Sequence, residues 1–276
     1  MFLIRVAIIL MIFSLVSACS VPDQIATETL TAEKPDTTLT PQPPTEIPSP
    51  SRTPALTFTV TVPTSMDSAT PEPVWQLCSP LAEQTLWEIP EIVSDPYNPP
   101  PPGKDDRHHG TDLAYYRRKE RTTIEGEVIQ AILPGKVVTV VEDQLPYGNM
   151  VMIETKRPDL PSDLIAELGI APNESLYHLY AHFRSKPLVN MGQWVDCGQA
   201  LGEVGATGYN IVNAHLHLET RLGPSLADFS DGMAYYDTRT TEAERANYEL
   251  WRTSGEFRHF DPMWLIGFYL ENWVKE

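Results

Sequence analysis

The strongest constraint on this chain is an abrupt change of composition near residue 103. All 15 glycines and all 7 histidines lie after residue 102, whereas 18 of the 26 prolines lie before Gly103. Because glycine is the default residue of tight turns, a chain that is free of it for a hundred residues is not one uniform domain. The sequence also lacks the repeats and long apolar runs that collagens, coiled coils and multi-pass membrane proteins need.

The N-terminus has the layout of an export signal. Residues 1–18 contain one charge, Arg5, followed by an apolar stretch too short to span a membrane. The stretch ends in Val-Ser-Ala before Cys19, which resembles the bacterial lipobox. We therefore expect a lipoprotein signal peptide at 1–18 and lipid on Cys19, with the chain exported and held on a membrane at the cell envelope. The alternatives are an ordinary cleaved signal and an uncleaved anchor.

Residues 19–73 are predicted to be a disordered tether. Of the 53 residues from 21 to 73, 28 are Pro, Thr or Ser, which cannot bury enough apolar surface to offset the entropy of ordering. A linker whose length has no consequence and a glycosylated stalk are the alternatives. Trp75 and Trp87 begin a lead-in segment, 74–107, that is expected to pack on the domain at 108–276.

The region after residue 103 is predicted to be mainly β. Short runs rich in β-branched residues alternate with turn signals, and most connections suit antiparallel neighbours. This predicts an antiparallel β domain with a few peripheral helices at 161–168, 242–251 and 263–273. The predicted strands are 128–133, 135–141, 150–154, 175–183, 199–205 and 214–220.

Six of the seven histidines fall in three clusters. Imidazole and carboxylate are ligands for zinc, and a catalytic zinc site needs three protein ligands and an open position. In a strand, His215 and His217 would point to one face, and so would His178, Tyr180 and His182 if that segment is a strand. The clusters are His108-His109 with Asp112, His178 with His182, and His215 with His217.

Taken together, these clusters resemble the lysostaphin-type (LytM-type) zinc metallopeptidases. The resemblance runs from about residue 108 to 262 and rests on four motifs. It implies an antiparallel β fold with an open groove, Zn²⁺ as cofactor, His108, Asp112 and His217 as the metal ligands, and His182 and His215 as the groove histidines. The motifs are His108-x-x-x-Asp112, Leu179-Tyr180-Ala181-His182, Gly205-Ala206-Thr207-Gly208 and His215-Leu216-His217-Leu218-Glu219.

The function implied by this resemblance is a zinc metalloendopeptidase that hydrolyses peptide bonds in peptidoglycan cross-links or stem peptides. His215 would be the base and His182 would hold the water or stabilise the intermediate, although these roles could be exchanged. The alternative is a non-catalytic cell-envelope binding or amidase-regulating module on the same fold. The implied partners are a peptidoglycan peptide, the membrane through the lipid on Cys19, and an envelope regulator.

Several features depart from the family pattern or stand beside it. A basic, aromatic run at 115–121 replaces a small, apolar continuation, and inserts lie at 155–176 and 222–260. We expect His109 to face away or to support the site, and His178 to be solvent-exposed, the alternative being that His178 supports a ligand from behind. Glu219 could orient a ligand ring; otherwise it is an exposed carboxylate at a strand end.

Charge and cysteine usage add two expectations. A formal net charge of −17 argues against a nucleic-acid partner, which normally requires a basic surface. With Cys19 assigned to lipid, Cys78 and Cys197 remain as an even pair in an oxidising compartment. A disulfide between them would join the lead-in to the catalytic domain; the alternative is two separate buried thiols.

Overall fold

A computed structural model describes residues 75–274. The predicted signal peptide, the lipidation site at Cys19 and the tether at 19–73 lie outside the described residues. Between residues 75 and 274, no helix combines the length and the apolar character that a membrane span requires.

The described chain contains ten strands, three α-helices and two short 3-10 helices. The strands are β1 (Val93–Asp95), β2 (Thr111–Leu113), β3 (Val128–Gln130), β4 (Gly135–Gln144), β5 (Gly148–Lys156), β6 (Glu174–Ala181), β7 (Trp194–Val195), β8 (Ala200–Glu203), β9 (Leu216–Pro224) and β10 (Arg258–Phe260). The helices are α1 (Ser162–Leu168), α2 (Glu242–Arg252) and α3 (Pro262–Asn272), with 3-10 helices at Leu86–Ile92 and Arg157–Asp159.

Eight of the strands form one antiparallel sheet, which confirms the predicted fold class. Its order is β1-β2-β9-β6-β5-β4-β7, and β10 pairs with the free stretch of β9 beyond β2. The remaining strands, β3 and β8, form a separate antiparallel pair. The central strands β5, β6 and β9 are buried over nearly their whole length, so both faces of the sheet must be covered.

The two faces of the sheet are covered by different parts of the chain. On one face Leu216 and Leu218 of β9 pack in a large core with the lead-in, the β3–β8 pair and α3. Side chains alternate along a strand, so His217 and Glu219 point to the other face. That face is covered by apolar residues of the second insert: Phe229, Met233, Tyr248, Trp251 and Phe257.

Helix α2 lies inside the second insert, and local hydrogen bonds fix where it begins. Thr241 caps it, accepting a hydrogen bond from the Glu244 amide, while the Glu244 side chain accepts from the Thr241 amide. Tyr248 and Trp251 are buried on its inner side, whereas Arg245 faces solvent. The insert is therefore a second layer on the face of the sheet that carries His217.

The lead-in contributes to the main core and to the main sheet. Leu81 and Ile89 are fully buried, and β1 pairs with β2. Cys78 and Cys197 form a disulfide with a Cα–Cα distance of 5.6 Å. The basic run that departs from the family pattern binds this segment through four ion pairs, of which the shortest are Arg118 with Glu91 at 2.7 Å, Lys119 with Glu88 at 2.9 Å and Arg121 with Glu83 at 2.7 Å.

The three predicted α-helices agree with the observed ones to within one residue at each end. The strands β1, β2, β7 and β10 were not predicted. Each has only two or three residues, which is too short for alternation to be visible in the sequence.

Candidate metal centre and groove

Three side chains converge on one point at the edge of β9. Asp112 of β2 lies directly opposite His217 of β9 in the antiparallel pairing, and His108 precedes β2 by three residues. The His108 Nε2 lies 3.1 Å from Asp112 Oδ1 and 3.0 Å from His217 Nδ1, and the last two atoms are 2.8 Å apart. Among the described residues this is a group of ligands able to hold a metal ion.

The donor set fits a zinc ion. Tetrahedral zinc with bonds of about 2.0–2.1 Å separates its ligand atoms by about 3.3 Å. The three observed separations are a few tenths of an ångström shorter, so a small outward movement of the side chains would admit the ion. Two imidazoles and one carboxylate leave the fourth tetrahedral position free, which is the arrangement of catalytic zinc sites.

The second nitrogen of each ligand ring is also fixed. His108 donates from Nδ1 to the Pro96 carbonyl at 3.1 Å, and His217 Nε2 lies 3.1 Å from Glu219 Oε1. Such partners select the tautomer and orient the ring toward a metal. Glu219 is completely buried, so the alternative of an exposed strand-end carboxylate is wrong and the ring-orienting geometry is present.

Gly110, between His108 and Asp112, allows β2 to approach β9 closely. A Cβ at this position would lie 2.4 Å from the Leu218 carbonyl oxygen and 2.9 Å from Cε1 of His217. Both distances are shorter than real carbon contacts, so only glycine fits between the two ligand-bearing strands.

His182 and His215 stand beside the three ligands. Their ring centroids are 4.7 Å apart, and His182 lies 5.7 Å from His217. Each of the two rings places Nδ1 on a backbone carbonyl, Thr207 at 2.7 Å for His182 and Asn213 at 2.9 Å for His215. Nδ1 is therefore the protonated nitrogen in both rings, and Nε2 is left to accept a hydrogen bond or a proton. The Nε2 of His215 lies 3.4 Å from Asp112 Oδ2.

The electrostatics of the cluster favour a cation at its centre. Burial opposes ionisation of Asp112, but hydrogen bonds from His108 and His217 hold the pKa of its carboxyl well below the usual range. Burial, reinforced by the neighbouring His217 and His215 rings, lowers the pKa of His182 to about 3. His182 is therefore a neutral ring at physiological pH.

A cavity of about 550 Å³ opens beside Asp112 and His215. One wall is the loop from Asn210 to Ala214. The other contains Tyr115, Tyr116, Thr123 and Glu125. The resemblance implies an open groove, and among the described residues this cavity corresponds to it. His182 is not among its lining residues, so His215 is the groove histidine on the cavity side.

His178 and His109 do not join the cluster. His178 is completely buried on the opposite face of the sheet, between Thr155 Oγ1 at 3.1 Å and the Tyr180 hydroxyl at 2.8 Å. The expectation that it is solvent-exposed is therefore wrong, because β6 is covered on both faces. His109 is also completely buried and accepts a hydrogen bond from Arg221 Nη2 at 2.8 Å.

The prediction that His178, Tyr180 and His182 share one face holds for His178 and Tyr180, whose side chains are hydrogen-bonded, and is wrong for His182. Strand β6 ends at Ala181, and His182 has a φ of +66°. This left-handed conformation breaks the alternation and carries the His182 ring to the face of His217. Non-glycine residues in this region are uncommon and are found at functional sites more often than elsewhere.

Four residues that support the site were not identified from the sequence. Tyr147, Arg221, Trp251 and Arg252 all donate hydrogen bonds to Glu219. Arg221 lies on β9 itself, two residues after Glu219, so alternation could have placed it on the same face. Tyr147 lies in the turn between β4 and β5, and Trp251 and Arg252 lie in α2; the positions of these three in the sequence carry no signal that connects them with β9.

The comparisons with known proteins agree with the motifs. Residues 165–228 match the sequence model of peptidase family M23. That range contains three of the five site residues, His182, His215 and His217, and stops short of His108 and Asp112. No curated protein matches the chain.

Similar solved structures cover about half of the chain. A mutant catalytic domain of the prophage-encoded M23 protein EnpA from Enterococcus faecalis is 26% identical over 49% of this chain and 81% of its own, with a TM-score of 0.34. The catalytic domain of the antimicrobial peptidase lysostaphin from Staphylococcus simulans is 24% identical over 52% and 90%, with a TM-score of 0.35. A zinc-containing peptidase from Vibrio cholerae is 26% identical over 46% of this chain and only 32% of its own, with a TM-score of 0.32.

The predicted resemblance to the lysostaphin-type peptidases is thus confirmed, because the segment 165–228, which contains the central strands β6 and β9 and four of the seven histidines, is a match to peptidase family M23.

Proposed function

We propose that this chain is a zinc-dependent endopeptidase that hydrolyses peptide bonds in peptidoglycan cross-links or stem peptides. The observation that carries the proposal is the convergence of His108 Nε2, Asp112 Oδ1 and His217 Nδ1 within 3.1 Å of one another. Two further imidazoles, His182 and His215, stand beside this point, each with Nδ1 bonded to a backbone carbonyl and Nε2 left as the accepting nitrogen. A binding module would need neither the ligand set nor the two accepting nitrogens.

When bound by His108, Asp112 and His217, zinc would polarise the scissile carbonyl and lower the pKa of a water molecule in its open position. His215 Nε2, on the cavity side, accepts the proton of the attacking water and returns it to the leaving amine. His182 Nε2 accepts a hydrogen bond that holds this water in place. The backbone carbonyls of Asn213 and Thr207 keep both rings in the accepting tautomer.

The cavity beside His215 is where the peptide would lie. Its walls combine the exposed ring of Tyr116 with the backbone and side chains of the 210–214 loop. An extended peptide placed there would present a carbonyl group to the ligand cluster and its leaving amine to His215. The substrate class itself is supported by the family match and by the export signal predicted at 1–18.

We further propose that the protein is exported and held at the cell envelope by lipid on Cys19. A Pro-rich tether in an extended conformation rises about 3.1 Å per residue, so the 53 residues from 21 to 73 would reach at most about 160 Å. Such a length would allow the catalytic domain, with its 74–107 lead-in, to reach peptidoglycan from the membrane. Incorporation of labelled acyl chains into the wild type and not into Cys19→Ala tests this part.

The test of the proposed function compares zinc content and peptidoglycan hydrolysis in matched variants of the full chain. His217→Ala is expected to lose both bound zinc and hydrolysis. His182→Ala and His215→Ala are expected to keep zinc and to lose hydrolysis of purified peptidoglycan by several orders of magnitude. If the wild-type protein binds one zinc ion and releases no peptide fragments, the proposed peptidase activity is refuted and the proposed metal site is not.

A further inference from the structure

The second insert brings two buried polar side chains to the back of the ligand cluster. They are Trp251 and Arg252, at the C-terminal end of α2. The Trp251 side chain is fully buried, and the Arg252 side chain is only 11% exposed. A guanidinium in such a place needs fixed carboxylate partners, because an unpaired buried charge is strongly destabilising.

Their common target is Glu219, whose carboxylate receives six hydrogen bonds. The Trp251 indole donates to Oε2 at 2.9 Å, and Arg252 Nη1 donates to Oε1 at 3.0 Å. The remaining donors are His217 Nε2 at 3.1 Å, the Tyr147 hydroxyl at 2.7 Å, and Arg221 Nε and Nη2 at 3.1 and 2.7 Å. Neither oxygen of Glu219 can therefore move without breaking contacts to α2.

Arg252 also binds the segment that carries the other imidazole ligand. Its Nε donates to Asp105 Oδ1 at 2.6 Å, and Asp105 lies three residues before His108. The Tyr248 hydroxyl, also from α2, donates to Asp105 Oδ2 at 2.5 Å. One guanidinium thus joins the loop before His108 to the carboxylate behind His217.

We propose that Arg252 is a positioning residue of the metal centre, which sets zinc affinity by holding the segments of His108 and His217 in register through Asp105 and Glu219. The proposal rests on the proposed function only in taking the metal to be zinc. It assigns to the second insert a role in the metal centre beyond covering one face of the sheet.

Arginine is suited to this role because of its planar fork. Its nitrogens can bind two carboxylates at once in fixed directions, whereas the lysine ammonium is a flexible point charge. Arg252→Lys therefore keeps the buried positive charge and loses the simultaneous contacts with Asp105 and Glu219. Groups that orient a metal ligand from behind typically change metal affinity by about 10- to 100-fold when they are replaced.

The experiment measures the affinity of the full chain for Zn²⁺ in competition with a chelator, without substrate. Arg252→Lys is expected to weaken zinc binding by at least about 10-fold. Trp251→Phe, which keeps an aromatic ring and removes one donor to Glu219, is expected to weaken it by about 3- to 10-fold. Arg245→Gln, on the solvent side of the same helix, is the control and should bind zinc like the wild type.

A double-mutant comparison separates positioning from general stability. If Arg252 acts through Glu219, then Arg252→Lys should cost much less zinc affinity in a Glu219→Gln background than in the wild type.

Two outcomes would overturn the proposal. One is a lower melting temperature in Arg252→Lys and Trp251→Phe with zinc affinity unchanged, which would make α2 structural only. The other is that Arg252→Lys lowers zinc affinity by the same factor in the wild type and in the Glu219→Gln background. Because zinc affinity is measured without substrate, a protein that shows the expected affinities and hydrolyses nothing would refute the peptidase and not the role of Arg252.

Discussion

Asp112 and His217 face each other across an antiparallel strand pair, with Asp112 Oδ1 2.8 Å from His217 Nδ1. Two of the three ligands are therefore placed by backbone hydrogen bonding between β2 and β9, and neither depends on a flexible loop. Directly opposed residues of an antiparallel pair have Cβ atoms only about 4.5–5.5 Å apart, so a short carboxylate and an imidazole meet there without strain. Metal affinity should consequently follow the integrity of this strand pair.

Gly110→Ala should disrupt the pair and thereby the metal centre. The added methyl group would meet the Leu218 carbonyl oxygen at 2.4 Å, so β2 must move away from β9. We expect a loss of zinc affinity of at least about 10-fold and a loss of stability of about 1–3 kcal/mol, measured by chelator competition and urea unfolding. Gly267→Ala is the control: nothing lies within 4 Å of its added Cβ in α3, so it should be neutral or slightly stabilising. Unchanged zinc affinity in Gly110→Ala would contradict this account.

Gly208→Ala should affect turnover and spare the metal. This glycine has a φ of +114°, and an added Cβ would lie 2.4 Å from the Pro146 carbonyl oxygen and 3.0 Å from His182 Nδ1. The loop that supplies the Thr207 carbonyl to His182 must therefore shift. We expect kcat for peptidoglycan to fall by at least about 10-fold with zinc affinity within two-fold of the wild type. A variant that loses zinc instead would show that this loop supports the ligands.

The disulfide should stabilise the fold without affecting the metal centre. Cys78 and Cys197 are 119 residues apart in the sequence, and closing a loop of that length in the unfolded chain is worth up to about 4–5 kcal/mol in the chain-entropy model. The double variant Cys78→Ser, Cys197→Ser should therefore unfold at lower urea concentration, with about 2–5 kcal/mol less stability. Zinc affinity at low urea should match the wild type. A double variant as stable as the wild type would mean that packing of Leu77 and Leu81 alone holds the lead-in in place.

Much of the sheet could be predicted from local patterns. The central strands and all three α-helices were placed correctly because each is long enough to show its period in the sequence. The shared face of His215 and His217 also followed from alternation, because β9 is regular from Leu216 onward. Partners across the sheet were not visible: nothing local in Thr111–Leu113 marks it as the neighbour of β9.

The contribution of α2 to the centre could not be predicted for a different reason. The sequence predicts only a peripheral helix at 242–251, and a helix with one apolar face can cover any apolar surface. Trp251 and Arg252 reach Glu219 because the insert returns over the face that carries His217, which depends on packing of Phe229, Met233 and Phe257. Which face the insert covers is decided by these tertiary contacts, and the local sequence of α2 does not specify it.

The two errors at β6 have different physical origins. His178 is buried because β6 is covered on both faces, and that cover comes from segments distant in the sequence. His182 leaves the face of His178 because its φ is +66°, in the left-handed region, which reverses the side on which the ring emerges. Alternation alone predicts neither the cover nor a positive φ at one particular non-glycine residue.

His178 provides the last prediction, which concerns pH. Burial lowers its pKa to about 3, whereas a histidine in an unfolded chain titrates near about 6.5. Between these values the unfolded chain binds a proton that the folded chain does not, so stability falls as the pH drops from about 6.5 toward 3, by up to about 1.4 kcal/mol per pH unit for this group. His178→Gln cannot titrate and should show a shallower decline in urea unfolding free energy between pH 6.5 and 4.5. At pH 7 it should be less stable by about 1–3 kcal/mol, because Thr155 and Tyr180 lose an ideal partner. Its zinc affinity should be unchanged, since His178 lies on the opposite face from His217. Equal slopes in the wild type and the variant would show that His178 is not the group that makes the fold sensitive to acid.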